Sequence, residues 1–390
     1  MTAYLDHAAT SPARPEVVDV VAQQMRDVGN ASSLHGSGRR ARKVVEESRE
    51  LIAARLGARP IEVVFTAGGT EADNLALKGA WWAARTQAPE RRRVVVSAVE
   101  HHAVLDPADW LARCEGAEVV FAPVDGDGLL DLDAYAALLS AGDAAATSVM
   151  WANNETGTVQ PVAAIADIAR EHGVGLHSDA VQAVGHLDVD FAASGLDAMT
   201  VSGHKLGGPH GVGALVARRE CPLAPLLHGG GQERDLRSGT VAVPLVAGFA
   251  TAVDLAVSAR EQESARLAAL RDELVARVRA VVPEATLTSE SAPRLPGIAH
   301  LAFAGCEGDS LLMLLDAHGV ECSTGSACAA GVPEPSHVLL AMGRDERAAR
   351  SSLRFSLGHT STVADVDALA AAIGAAVERA RAAAGLAGVG

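Results

Sequence analysis

Lysine is nearly absent from this chain. Of the 33 basic residues among 390, only Lys43, Lys78 and Lys205 are lysines, so a reaction that needs an amine nucleophile has three candidates. Cysteine is scarce too: five thiols scattered through a chain of this length form no disulfide framework, and a reducing compartment keeps them free for chemistry. No uncharged apolar run approaches the roughly 18 residues that cross a bilayer. The opening Met1-Thr2-Ala3-Tyr4-Leu5-Asp6 lacks the basic and apolar regions of a secretory leader. A cytoplasmic protein without membrane contact is expected. The net charge of −15 opposes extended contact with nucleic-acid phosphates, so no direct nucleic-acid binding is expected either.

A hydrophobic content of 49% over 390 residues suits a large core divided between domains and excludes disorder. Short β-rich runs at 63–66, 94–96, 119–121, 148–151, 175–177, 199–201 and 213–216 are separated by helix-like stretches, the pattern of an α/β sheet. A helix is predicted over 39–56, where Ala41, Val44, Val45, Leu51, Ile52 and Leu56 share one face. After Gly248 a long helix is predicted over 251–281, followed by Pro283, Pro293 and Pro296. A boundary near residue 255 separates a large domain, 15–255, from a smaller α+β domain built of 1–14 and 256–390. The smaller one has strand-like 298–303 and 353–357 and helix-like 309–317 and 363–384.

Lys43 and Lys78 lie in helical, charge-alternating contexts and read as solvated. Lys205 follows a strand-like run within Ser202-Gly203-His204-Lys205-Leu206-Gly207-Gly208-Pro209, where small residues let a ligand approach the backbone. An amine that attacks a carbonyl needs this access and a depressed pKa. Asp179 lies just past another strand-like run, and a pyridoxal-phosphate cofactor requires both a lysine for its aldehyde and an acid for its pyridine nitrogen. Phe65-Thr66-Ala67-Gly68-Gly69-Thr70-Glu71-Ala72 adds a strand end, a glycine pair and a helix start, a cradle for the phosphate.

Together with these segments, Tyr4-Leu5-Asp6-His7-Ala8-Ala9-Thr10, Glu100-His101-His102-Ala103, Asn153-Asn154-Glu155-Thr156-Gly157, Arg237-Ser238-Gly239-Thr240, Gly325-Ser326-Ala327-Cys328 and Ser352-Leu353-Arg354-Phe355-Ser356 give the chain a strong likeness to one family. It resembles the cysteine desulfurases, in the class V aminotransferase group of fold-type I pyridoxal-phosphate enzymes. The resemblance implies an α/β fold with a mostly parallel seven-stranded sheet in the large domain, pyridoxal 5′-phosphate as cofactor, and a homodimer. It implies that Lys205 carries the cofactor as a Schiff base, Asp179 pairs with the pyridine nitrogen, and Gln182 and Asn154 sit near the phenolic oxygen. His101 stacks on the ring and relays protons. Gly69, Thr70, Ser202 and His204 hold the phosphate, Thr240 reaches it from the other subunit, and Arg354 binds the substrate carboxylate beside Asn154. Three positions depart from the family's common pattern: His7 stands where Asn is usual, Gly69 where Ala is usual and Ala72 where Ser is usual.

Cys114, Cys221 and Cys306 read as small buried hydrophobes, and Cys322 as structural. Cys328 differs, because Ser323-Thr324-Gly325-Ser326-Ala327-Cys328-Ala329-Ala330-Gly331 is small, polar and suited to a thiol that travels. The resemblance assigns Cys328 the sulfur of L-cysteine as a persulfide, with L-alanine as the other product. It extends to a group with a long cysteine loop that hands sulfur to an iron–sulfur scaffold or a tRNA-thiolating enzyme. No metal site is expected, save that Cys328 is a candidate cluster ligand within a complex. A selenocysteine lyase, an aminotransferase of the same class and a non-catalytic cofactor-binding protein stand as alternatives.

Overall fold

The computed structural model describes residues 2–325 and 335–387. Its strands are β1 (Ala3–Tyr4), β2 (Val63–Thr66), β3 (Arg93–Ser97), β4 (Glu118–Ala122), β5 (Ala144–Ser148), β6 (Leu176–Asp179), β7 (Ala198–Ser202), β8 (Gly213–Ala217), β9 (Thr286–Leu287), β10 (Ile298–Ala302), β11 (Val320–Glu321) and β12 (Ser352–Ser356). Seven of them form one sheet in the order β2-β8-β7-β6-β5-β3-β4. All its neighbouring pairs are parallel except those that β8 makes with β2 and β7. Helices link the parallel strands, which leaves both faces covered and the strands apolar on both sides. The loops that leave β2, β3, β5, β6 and β7 therefore converge on one edge of the sheet.

The alanine-rich β5 begins four residues before the run predicted at 148–151. Alanine is a poor strand former, yet a strand between β3 and β6 in the sheet's interior is set by its neighbours rather than by propensity. Beyond β5 the chain keeps alongside β6, with Val149 N–H bonded to His177 O at 3.0 Å and Trp151 N–H to Asp179 O at 2.8 Å.

The predicted 39–56 helix runs from Gly36 to Arg55, starting earlier because His35 Nδ1 caps it, accepting from Gly38 N–H at 3.3 Å. The 251–281 helix is longer than its polar stripe reveals and spans Val243–Val281. Its first turns are buried on several sides, at Val246, Ala247, Phe249, Ala250, Ala252 and Val253, so they show no amphipathic alternation. An 18-residue window of this helix, mean hydropathy 1.4, has the length and composition needed to cross a bilayer; half of that window is buried inside the protein.

Hydrophobic contacts gather into separate clusters. One joins Val17, Ile52, the sheet and the front of the long helix as far as Ala256. Another joins Ala3 and Leu5 to Leu267–Val278, β10, β12 and the final helix Val363–Ala387. In this second region β12, β10 and β9 form an antiparallel sheet, and β1 pairs in parallel with β11. The helix predicted at 309–317 lies at Gly308–Asp316.

Candidate active site

A cavity of about 230 Å³ opens at the converging edge of the sheet. Gly69, Thr70, Asp73, His101, Asn154, Asp179, Gln182, Ser202, His204 and Lys205 all line it. These residues are spread over more than 130 positions of sequence, and parallel strand order alone brings them together.

Lys205 sits on the tight helical turn Gly203–Leu206 that follows β7. Its Nζ donates to the carbonyls of Ala8 and Ala9, the latter at 2.8 Å. Burial, then the charge of Arg354, pushes its amine down to about 8, against the opposing pull of Asp179 and Asp6. Asp179 ends β6, opposite Thr200 of β7. Its Oδ1 accepts from Val181 N–H at 2.8 Å, and burial raises its carboxyl to about 6.

Two carboxylates that sequence reading did not single out lie close by. Asp73 is 1% exposed and lines the cavity; its Oδ1 lies 3.5 Å from His177 Nε2. Glu100 is fully buried, and its Oε1 accepts from Met150 N–H. Burial first, and the Asp179 charge second, holds both carboxyls well above the usual range. Asp73 was detectable as the residue one helical turn after Thr70, on the same face.

His101 caps the helix His102–Glu115, its Nδ1 accepting from Ala103 N–H at 3.0 Å. That bond places the ring proton on Nε2. Burial, with the Lys205 charge second, lowers the ring to about 4, so it is neutral at neutral pH. His204 Nδ1 pairs with Thr10 Oγ1 at 3.2 Å, and its ring stacks on His210. Gln182 Nε2 donates to Ala8 O at 2.9 Å. Thus Ala8, Ala9 and Thr10 of the N-terminal segment touch three of the site side chains.

Arg354, on β12, is 4% exposed. It donates through Nη1 to the Asn154 carbonyl at 2.9 Å and through Nη2 to Asp6 Oδ1 at 2.7 Å, while Nε is buried with no partner among the described residues. Thr240 lies outside this subunit's cavity, exposed at a small recess shared with Thr66 and Arg237. Cys328 falls outside the described residues.

The departures have structural settings. A Cβ on Gly69 would stand 3.2 Å from Val181 Cγ2, so this glycine leaves room on the cavity wall. His7 is buried, bonded to Ser11 Oγ at 3.1 Å and Thr360 Oγ1 at 3.2 Å. Its ring occupies the space that a side chain at Gly358 would need.

Among the other lysines, Lys43 is exposed and pairs with Glu47 at 3.5 Å. Lys78 is not the solvated lysine expected: half-buried, it lies 4.3 Å over the Trp110 ring. Cys114 also corrects the sequence reading, being exposed in the last turn of its helix, past the buried Leu111. Cys322 is buried, and burial with the Asp6 charge pushes its thiol up to about 12.

The donor set suits a flat anionic cofactor with an aldehyde. An amine, a buried carboxylate opposite a neighbouring strand, and the N-terminus of the helix Gly69–Gln87 face one cavity.

Residues 3–369 match the aminotransferase class-V family. The chain is 59% identical over 384 residues to an IscS-like cysteine desulfurase of Mycobacterium tuberculosis, covering 98% of each chain. It is 42% identical to the cysteine desulfurase NifS of Azotobacter vinelandii, over 93% of this chain and 90% of that one. The X-ray structure of a NifS-like protein from Rickettsia africae superposes with a TM-score of 0.87 at 32% identity, over 97% of this chain and all of that one. The chain belongs to the aminotransferase class-V family and is a pyridoxal-phosphate-dependent enzyme. Within that class its activity is that of a cysteine desulfurase.

Proposed function

We propose that Lys205 binds the cofactor aldehyde, that Asp179 pairs with its pyridine nitrogen, and that Gly69, Thr70, Ser202 and His204 hold its phosphate. In this reading Thr240 completes the phosphate site of the second subunit in a homodimer. Asn154 and Gln182 flank the phenolic oxygen, and Arg354 receives the carboxylate of L-cysteine. The single observation that carries the reading is the meeting of Lys205, Asp179 and the Gly69-Thr70 turn in one cavity.

When bound, the cofactor withdraws electrons from the substrate and so labilises its Cα–H and Cβ–S bonds. Lys205, whose lowered pKa raises the share of free amine, takes the Cα proton. His101, neutral with its proton on Nε2, relays a proton beside it. The Cys328 thiolate attacks the substrate sulfur as the Cβ–S bond breaks. The new S–S bond leaves a persulfide on Cys328, and the three-carbon fragment takes up protons to depart as L-alanine. Atoms balance: L-cysteine and a thiol become L-alanine and a persulfide.

The sulfur then passes to an acceptor protein, an iron–sulfur scaffold or a tRNA-thiolating enzyme, in a reducing cytoplasm. The chain divides functionally into 15–255, which holds the cofactor, and 1–14 with 256–390, which carries the cysteine segment; the separate hydrophobic clusters support this division. The test is Cys328→Ser. It should retain the cofactor's visible band and its change on adding L-cysteine, yet form no persulfide. Continued delivery of sulfur to a protein acceptor by this variant would refute the assignment, and transfer assays against scaffold and tRNA-modifying partners would identify the acceptor.

A further inference from the structure

The segment Asn153-Asn154-Glu155-Thr156-Gly157 contains a buried acid with no part in the chemistry above. Asn153 Oδ1 accepts from the N–H groups of Glu155 and Thr156, each at 2.9 Å, and so folds the turn that holds Glu155. Glu155 is 3% exposed. Its Oε2 accepts from Ser336 Oγ at 2.6 Å. The same oxygen would lie 3.4 Å from a Cβ on Gly325, whose φ is +87°. Gly325 is the last described residue before the segment that bears Cys328 and Ser336 the second described residue after it; Ser336 is hydrogen-bonded to the carboxylate, and Gly325 lies close against it.

Each side has a second tie. Before the segment, Ser323 and Arg354 exchange backbone hydrogen bonds at 3.2 and 2.7 Å, and Gly325 N–H donates to Ser323 Oγ at 3.0 Å. After it, His337 Nε2 donates to the Glu100 carbonyl at 2.8 Å. Ser336 Oγ also accepts from Leu339 N–H at 3.2 Å, while Val338 and Leu339 pack with Val99 and the cavity-lining Met150. Burial holds this carboxyl above its usual range, against the opposing effects of the Ser336 hydrogen bond and of His337, Arg354 and His102 nearby.

We propose that Glu155 is a positioning residue for sulfur transfer, bonding Ser336 and abutting Gly325, and so fixing where the described chain leaves and re-enters around Cys328. This rests on the reading of Cys328 as sulfur acceptor. Cys328 follows Gly325 by three residues (328 − 325), and a chain spans at most ~3.3–3.6 Å per residue. The place of Gly325 therefore bounds the travel of the thiol. A shift of this contact by about 1 Å is enough to cost on the order of 10²-fold in a reaction that depends on alignment.

The experiment compares holoenzymes carrying Glu155→Ala, Glu155→Gln, Ser336→Ala and Cys328→Ser. Two signals are followed: the visible spectral change on binding L-cysteine, and single-turnover persulfide formation. Glu155→Ala and Ser336→Ala should keep the spectral change and its dependence on L-cysteine concentration, while persulfide formation slows on the order of 10- to 100-fold. Glu155→Ala combined with Ser336→Ala should be no slower than Glu155→Ala alone, because both act through one contact. Glu155→Gln, whose amide oxygen still accepts from Ser336, should recover most of the rate.

An unchanged persulfide rate in Ser336→Ala overturns the proposal even if Glu155→Ala fails to fold. Loss of the spectral change in step with the rate also overturns it, since Glu155 would then only support the cavity. Persulfide transfer that survives in Cys328→Ser defeats the acceptor reading instead. Cys328-dependent transfer that ignores Glu155 and Ser336 defeats only the positioning role.

Discussion

Arg354 and Asp6 form an ion pair at 2.7 Å, with the arginine side chain 4% exposed and the aspartate 22%. The pair ties β12 to the N-terminal segment that supplies the Ala8 and Ala9 carbonyls to Lys205. One guanidinium thus orients the amine's neighbourhood and, in the proposed role, the substrate. Arg354→Lys keeps the charge and loses the planar fork. KM for L-cysteine should rise roughly 10- to 100-fold, the worth of a hydrogen bond to a charged group, with the visible band of the cofactor retained. An unchanged KM would place carboxylate recognition elsewhere.

Lys205 carries a pH signature. Its amine titrates near 8 instead of 10.5, so capture of added pyridoxal phosphate by cofactor-free protein should accelerate with pH and level off above about 8. A rate still climbing at pH 10 would contradict the lowered pKa. Between 8 and 10.5 the unfolded chain holds a proton at this lysine that the folded chain lacks. The group's contribution to stability therefore rises with pH across that window and is unfavourable below it.

Asp179→Asn preserves an oxygen to accept from Val181 N–H and removes the charge. Turnover of L-cysteine should fall on the order of 10²- to 10³-fold, as for loss of a preorganised electrostatic partner, with the fold intact by circular dichroism. Near-normal kcat would remove Asp179 from the proposed site.

Arg49 and Glu233 form a bidentate pair at 2.8 Å for both bonds. Glu233 also accepts from Phe65 N–H at 2.9 Å, and Arg49 also donates to Val63 O. The pair therefore braces β2 just ahead of the Gly69-Thr70 turn. Glu233→Ala leaves buried Arg49 to the half-exposed Glu46 at 3.2 Å and should destabilise by about 3 kcal/mol, the low end for a broken buried pair, read as a lowered midpoint of thermal unfolding. Glu233→Gln should lose less. Equal midpoints for both variants would show that packing, rather than charge, holds the strand.

The sequence alone determined which residues the proposed chemistry rests on: Lys205 beside small residues, Asp179 at a strand end, and a glycine turn opening a helix. Each of these is legible because the cue is local, a residue type beside a turn or at the end of a periodic run. Its family resemblance carried Arg354 and Cys328 from elsewhere in the chain. Only the tertiary structure decided that the carbonyls of Ala8 and Ala9 hold Lys205, that Asp73 and Glu100 are buried near Asp179, and that Glu155 bonds Ser336 close against Gly325. The same holds for the first turns of the long helix and for the alanine strand β5, which were misplaced by pattern and propensity. These features arise from contacts between residues up to about two hundred positions apart. Burial sets both the pairing and the pKa of such groups, and no periodicity within a single segment encodes what will cover it.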